Sequence, residues 1–152
     1  MVRMRAVVQR VSAAEVLVAG EQVGAIDTGL LVYLAAARED TDADIRWTAN
    51  KLASLRVFPD ARGRMSCSVE QVHGALLVVS QFTLFGDVQK GHRPSFSRAA
   101  SPEQAEGHYK ALCNALRSRG LRVETGRFRA AMQVRSEGDG PVTILVDSRR
   151  AL

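Results

Sequence analysis

The chain has 152 residues, 46% of them apolar and 24% charged, which is enough apolar material for one buried core and a length that fits a single domain. Its longest apolar stretches, residues 29–37 and 75–79, fall well short of the roughly 20 residues a membrane span needs. The opening residues also lack a signal-peptide pattern, so a cytoplasmic protein with no membrane partner is expected.

In chain order, residues 5–10, 15–18 and 29–36 are β-branched or apolar runs separated by Gly20, Gly24 and Asp27-Thr28-Gly29. They predict a small antiparallel meander leading into a buried strand. Thr41-Asp42-Ala43-Asp44 has the form of a capping box, and Ile45, Thr48, Ala49, Leu52 and Leu55 follow at helical spacing, which predicts a helix over residues 42–55. A polar turn at Asp60-Ala61-Arg62-Gly63 precedes residues 65–69, and Gly74 opens the run 75–79, expected to be a strand buried on both faces. Ser101 as N-cap, Pro102 at the first helical position, Gln104 three residues after the cap and Gly120 as the stop delimit a second helix. Its apolar stripe is Ala105, Tyr109, Leu112, Cys113 and Leu116. Residues 121–123, 131–134 and 142–146 return to strands. The expected class is α/β: a mixed, largely antiparallel sheet with two main helices packed on one side, in one domain over residues 1–152.

Lys and Arg outnumber Asp and Glu by 21 to 16, a net charge of +5. The excess is strongest near the end, where Arg117, Arg119, Arg122, Arg127, Arg129, Arg135, Arg149 and Arg150 face few acids. Such an imbalance favours a polyanionic partner, although a solvated basic surface has the same composition. Cys67 and Cys113 are far apart, and His73, His92 and His108 are scattered, so neither a disulfide framework nor a metal site is expected.

Chemistry could sit in three places. Ser80-Gln81-Phe82-Thr83 puts polar groups at the end of an apolar strand; if the strand continues, Gln81 and Thr83 share one face and Ser80 and Phe82 the other. The same residues also fit a satisfied structural cluster. Gly138-Asp139-Gly140-Pro141 reads as a turn before the last strand, and the loop from Gly86 to Ser97 carries Lys90, His92 and Arg93. No G-x-S-x-G elbow surrounds Ser80, so a triad with His92 and Asp87 has little support, and spacing alone leaves the chemistry undecided.

The segments Ser80-Gln81-Phe82-Thr83-Leu84 and Gly140-Pro141-Val142-Thr143 closely resemble the two signatures of the D-aminoacyl-tRNA deacylases, S-Q-F-T-L and N-x-G-P-V/F-T. The resemblance extends through Val8-Gln9-Arg10-Val11, Arg93-Pro94-Ser95-Phe96-Ser97, Thr125-Gly126-Arg127-Phe128 and Met132-Gln133-Val134, in that order along the chain. One position departs: Gly138 stands where the family usually has Asn.

The resemblance implies hydrolysis of the ester joining a D-amino acid, or glycine on alanine tRNA, to tRNA, while L-esters are rejected. It implies aminoacylated tRNA as partner and neither DNA nor a cofactor. It also implies a homodimer in which the Gly140-Pro141 segment, with a cis peptide bond, completes the neighbouring subunit's site and sets chirality, with Arg10 supporting it. Gln81 and Thr83 are then catalytic, Ser80, Phe82, Phe128 and Met132 bind substrate, and Lys90 and Arg93 contact tRNA phosphates. The terminal ribose 2′-hydroxyl is the expected activator of water, with Thr83 as nucleophile the alternative. Two other readings are an inactive tRNA-binding module and a Ser/Thr esterase of small non-RNA substrates.

Overall fold

The computed structural model describes residues 3–149, so Arg150 lies outside the described residues. In chain order the elements are β1 (Arg5–Val18), β2 (Glu21–Ile26), β3 (Gly29–Ala35), α1 (Asp42–Ser54), β4 (Phe58–Pro59), β5 (Met65–Cys67), β6 (Ala75–Ser80), α2 (Pro102–Ser118), β7 (Arg122–Thr125) and β8 (Gln133–Asp147). One sheet runs β2-β1-β3-β6-β7, with β8 also paired to β1, while β4 and β5 form a separate hairpin. The β3–β6 and β6–β7 pairs are parallel and the pairs made by β1 are antiparallel, so the sheet is mixed.

Strand β1 is the template of the fold. Because its first half pairs with β3 and β8 at once, these two flank it on opposite edges. Along the β3 edge the ladder passes from Val11↔Gly29 to Ala14↔Ile26, so β2 continues where β3 leaves off. The sequence predicted two strands where β1 runs unbroken, since Ser12 and Ala13 interrupt the apolar pattern. Backbone hydrogen bonds need no apolar side chains, and Val11, Ala13 and Ala14 stay paired to β8. Residues 133–134, the second half of the predicted run 131–134, and residues 142–146 likewise belong to one strand, β8, because both lie along the same template.

The sheet curls until β2 reaches β7, which makes it nearly barrel-like. Gly24 permits this approach: a Cβ there would run into the Thr125 carbonyl of β7. Arg122 of β7 also donates to the Ala25 carbonyl at 3.2 Å.

Side-chain alternation divides the interior into two. Leu76 and Val78 of β6, Leu30 and Val32 of β3, and Val8 of β1 face α1 and α2, where Leu52, Leu112 and Leu116 meet them. Ala75, Leu77 and Val79 point the other way, into the curl with Leu31, Val11 and Val16. The expectation that residues 75–79 are buried on both faces is met, and each fully buried leucine or valine there contributes about 1.5–3 kcal/mol. Both helices pack on the same side, as the sequence indicated.

The helix ends follow their local chemistry. The Asp44 carboxylate accepts from Thr41 N at 2.9 Å at the start of α1. Ser101 Oγ accepts from Gln104 N at 3.3 Å at the start of α2, and Gly120 takes φ +88° just beyond its end. Tyr109, on the buried face of α2, donates its hydroxyl to the Val78 carbonyl and so fixes α2 over β6. Among the described residues no helix is long and apolar enough to cross a membrane.

Candidate active site

Strand β6 stops at Ser80. The last rung is Leu34↔Ser80, after which Gln81 N donates to the Leu34 carbonyl at 2.7 Å and the chain enters a 3-10 turn over Phe82–Phe85. The strand therefore does not continue, and the condition under which Gln81 and Thr83 would share one of its faces is not met. Phe85 is buried beside Ala35 and Ala37, and burying that ring draws the chain out of the sheet. In the turn, the Gln81 amide donates to Thr83 Oγ1, and both Phe82 and Thr83 face solvent.

Above this strand end lies a cavity of about 650 Å³. Ser80, Gln81 and Phe82 line it from the end of β6, Phe96 from the following loop, and Phe128, Arg129 and Met132 from the segment between β7 and β8. Five residues singled out in the sequence, Ser80, Gln81, Phe82, Phe128 and Met132, thus meet around one space. Phe82 and Phe96 stack edge to face with ring centres 5.1 Å apart, yet Phe82 stays 55% exposed, so the pair presents an open aromatic wall. Phe128 stacks edge to face on Tyr109 at 6.2 Å, which ties the opposite wall to α2. Burial holds the Tyr109 hydroxyl well above the usual phenol range and pushes the nearby Cys113 thiol up to about 11, so both stay neutral.

Other predicted site residues lie elsewhere. Thr83 does not line the cavity. Lys90 and Arg93 are exposed on the loop pinched by the Asp87↔Ser95 bridge. Asp87 is engaged by Gln89 N at 3.0 Å and by Arg98 at 3.8 Å, commitments that compete with a role in a triad. Among the described lining residues the single titratable group is Arg129, so the cavity wall offers neither a carboxylate nor an imidazole. Among the described residues no cluster of His, Cys, Asp or Glu is placed to hold a metal ion.

Gly140 and Pro141 sit on β8, exposed and apart from this chain's own cavity. They form a bulge instead of the predicted turn between strands: as β1 advances from Gln9 to Val11, β8 falls back from Thr143 to Gly138. The Gly140-Pro141 peptide bond is cis, as the resemblance implied. Arg10 reaches the bulge, its Nε donating to the Asp139 carbonyl at 3.0 Å and its Nη1 to the Val57 carbonyl at 2.6 Å. At the departing position, Gly138, an added Cβ would meet nothing within 4 Å.

Phe96 and Arg129 are among the lining residues that the sequence reading did not assign to the site. Phe96 was visible within Arg93-Pro94-Ser95-Phe96-Ser97 but had no assigned role. Arg129 has φ +65°, a conformation uncommon for a residue with a side chain, and no spacing signal announces it.

An aromatic-walled cavity at the end of a parallel strand, with only a few polar groups in its lining, defines a binding pocket for a small group presented from outside. The chain belongs to the D-Tyr-tRNA(Tyr) deacylase family, whose model matches residues 7–147. It is 62% identical to a D-aminoacyl-tRNA deacylase of Anaeromyxobacter dehalogenans over 97% of this chain and 99% of that protein. It is 52% identical to the protein of that name from Thermotoga petrophila, with the same coverage. Among solved structures it resembles one titled c-Myc DNA Unwinding Element Binding Protein, with TM-score 0.88 and 44% identity over 93% of this chain and 97% of that one. A probable eukaryotic D-amino acid tRNA deacylase shares the fold, with TM-score 0.84 and 22% identity over 95% and 98% of the two chains.

Proposed function

We propose that this chain is a D-aminoacyl-tRNA deacylase, a hydrolase that removes D-amino acids, and glycine mischarged on alanine tRNA, from tRNA in the cytoplasm. The observation that carries this reading is the convergence of Ser80, Gln81, Phe82, Phe128 and Met132 on one cavity, in a chain whose relatives bear that name. The aromatic walls take the terminal adenine and the aminoacyl group, and all of residues 1–152 serve this one activity.

In the reaction a water oxygen adds to the ester carbonyl carbon, and the carbonyl oxygen gains the negative charge. The amide of the lining residue Phe82 is its donor, since the turn's own hydrogen bonding begins only with Leu84 N, which donates to the Gln81 carbonyl at 3.2 Å. The intermediate collapses as the carbon–oxygen bond to the ribose breaks. The ribose oxygen takes a proton, leaving free amino acid and tRNA.

The water's proton is taken through the terminal ribose 2′-hydroxyl. Two features favour this route: the described lining has no carboxylate or imidazole, and Thr83 Oγ1 is in contact with an amide that donates to it and cannot act as a base. Thr83 holds Gln81 in position instead of attacking.

The active form is a homodimer in which the partner's Gly140-Pro141 closes the cavity. Supporting this are the exposure of both residues, their absence from their own chain's cavity lining, and an outer edge of β8 that pairs with no strand among the described residues. Backbone fixed at that place collides with an L side chain and leaves room for a D side chain or a hydrogen. Lys90 and Arg93 contact phosphates.

The test is turnover of a D-aminoacyl-tRNA by the purified protein, with duplex DNA as competitor. Cleavage that excess DNA leaves unaffected supports the reading. Tight DNA binding without cleavage favours the activity named for the DNA-binding neighbour, and tRNA binding without cleavage favours an inactive module.

A further inference from the structure

A second concave site lies beside the cavity and is of the opposite character. Arg5, Arg38, Arg98 and Arg149 surround a space of about 570 Å³ together with Gln89 and Ser97, and Glu39 is the one acid in the lining. These arginines come from four separate segments, and the fold itself draws them together. Arg38 N donates to the Arg98 carbonyl at 3.2 Å beside the Ala37↔Ala99 bridge, which places two cations distant in sequence next to each other. Arg5 is held at 3.0 Å by Asp147, whose side chain is fully buried, and lies over the Phe85 ring at 5.4 Å. Arg98 is steadied from the loop side by Asp87.

Asp147 and Asp87 pair with Arg5 and Arg98, yet arginines outnumber acids in the lining four to one, which favours an anion that several of them can share. The planar fork of arginine suits phosphate oxygens better than lysine's point charge. Direction also matters, because the segment after the loop serves both sites: Phe96, Ala99 and Ala100 line the aromatic cavity, and Ser97 and Arg98 line the basic one. A chain whose last nucleoside occupies the aromatic cavity therefore passes this wall with its preceding phosphates on the arginine side.

We infer that the Arg5–Arg38–Arg98–Arg149 pocket is a phosphodiester site that holds the RNA strand just before its terminal nucleotide. The inference rests on the deacylase reading for the identity of the strand. It adds a second anchoring surface to the exposed Lys90 and Arg93, one in which Arg5 and Arg98 are held by ion pairs.

The test is the affinity of uncharged tRNA for the full chain at several KCl concentrations. Arg38→Gln combined with Arg98→Gln is compared with the wild type and with Arg46→Gln combined with Arg62→Gln, an equal loss of charge at exposed positions elsewhere. The first pair should weaken binding about tenfold near physiological salt and lower the slope of log affinity against log salt by about 0.7 per arginine, while the control pair stays near the wild type. Wild-type affinity and slope in the first pair, or an equal loss in the control pair, would overturn the assignment. Because binding is read without hydrolysis, the deacylase reading is judged separately. Arginine-dependent binding with no D-ester cleavage leaves the pocket standing and removes that reading; cleavage with arginine-independent binding does the reverse.

Discussion

Arg10 and Asp139 are joined twice: Arg10 Nε donates to the Asp139 carbonyl at 3.0 Å and stands 3.3 Å from the Asp139 carboxylate. With Arg10 Nη1 also bonded to the Val57 carbonyl, one side chain ties β1 and the residue just before β4 to the bulge that carries Gly140 and Pro141. If that bulge selects chirality, Arg10→Ala loosens the selector while leaving the cavity walls in place. The expected result is a D-to-L cleavage ratio at least about tenfold lower, with stability reduced by about 2 kcal/mol for the lost charged hydrogen bonds. Paired D- and L-ester hydrolysis, with a urea unfolding curve, checks both. An unchanged ratio in a folded variant removes Arg10 from the selection.

Gly140 and Gly138 should respond differently to a side chain. At Gly140 φ is +137°, and a Cβ would lie 2.8 Å from Val142 N and 3.2 Å from Arg10 Nη2, so Gly140→Ala must distort the bulge at a cost of about 1–3 kcal/mol. At Gly138 the space is open, and Gly138→Asn, which restores the usual family residue, should change stability by less than about 0.5 kcal/mol. Thermal unfolding of both variants distinguishes them. Equal effects would mean the bulge is softer than its geometry implies.

The cross-subunit arrangement predicts complementation. Gln81→Ala damages the cavity and Gly140→Ala the selector, so each homodimer has two defective sites. Unfolding and refolding the two together gives mixed dimers with one intact site, so at equal proportions about a quarter of all sites should recover D-selective cleavage. No recovery, despite mixed dimers shown by mass spectrometry, would place both groups in one chain's site.

Asp40 gives a pH signature. Its carboxylate accepts from Met4 N and from Ala37 N, both at 2.7 Å, and pins the start of β1 beside the end of β3. Burial outweighs these bonds and pushes its pKa up from 3.8 to about 6. A carboxyl whose pKa is higher folded than unfolded contributes stability that is fully present below 3.8 and is lost as pH rises through about 6. The wild type should therefore gain stability relative to Asp40→Asn as pH falls from 7 to 4, read as the difference in unfolding midpoint. A constant difference, or one that shrinks towards pH 4, contradicts the assignment.

The sequence was informative wherever a local rule operates. Ser101, Pro102 and Gly120 marked α2 because capping is decided within a few residues, and the two-sided burial of Leu76, Leu77 and Val78 followed from an unbroken apolar run. It was less informative where pairing over long distances decides. Ser12 and Ala13 look like an interruption, and Gly140-Pro141 looks like a turn, until β1 and β8 are laid side by side. Gln81 and Thr83 look like neighbours on a strand face until burial of Phe85 turns the chain. The meeting of Arg38 with Arg98 depends on a backbone contact across 60 residues of sequence, and no spacing rule reports it.

The central claim is best tested by presenting the purified protein with one tRNA charged in parallel with D- and L-tyrosine and following both esters. The account predicts rapid loss of the D-ester while the L-ester decays at its spontaneous rate. Equal cleavage of the two esters would contradict the selector role of Gly140-Pro141, and cleavage of neither would contradict the deacylase reading itself.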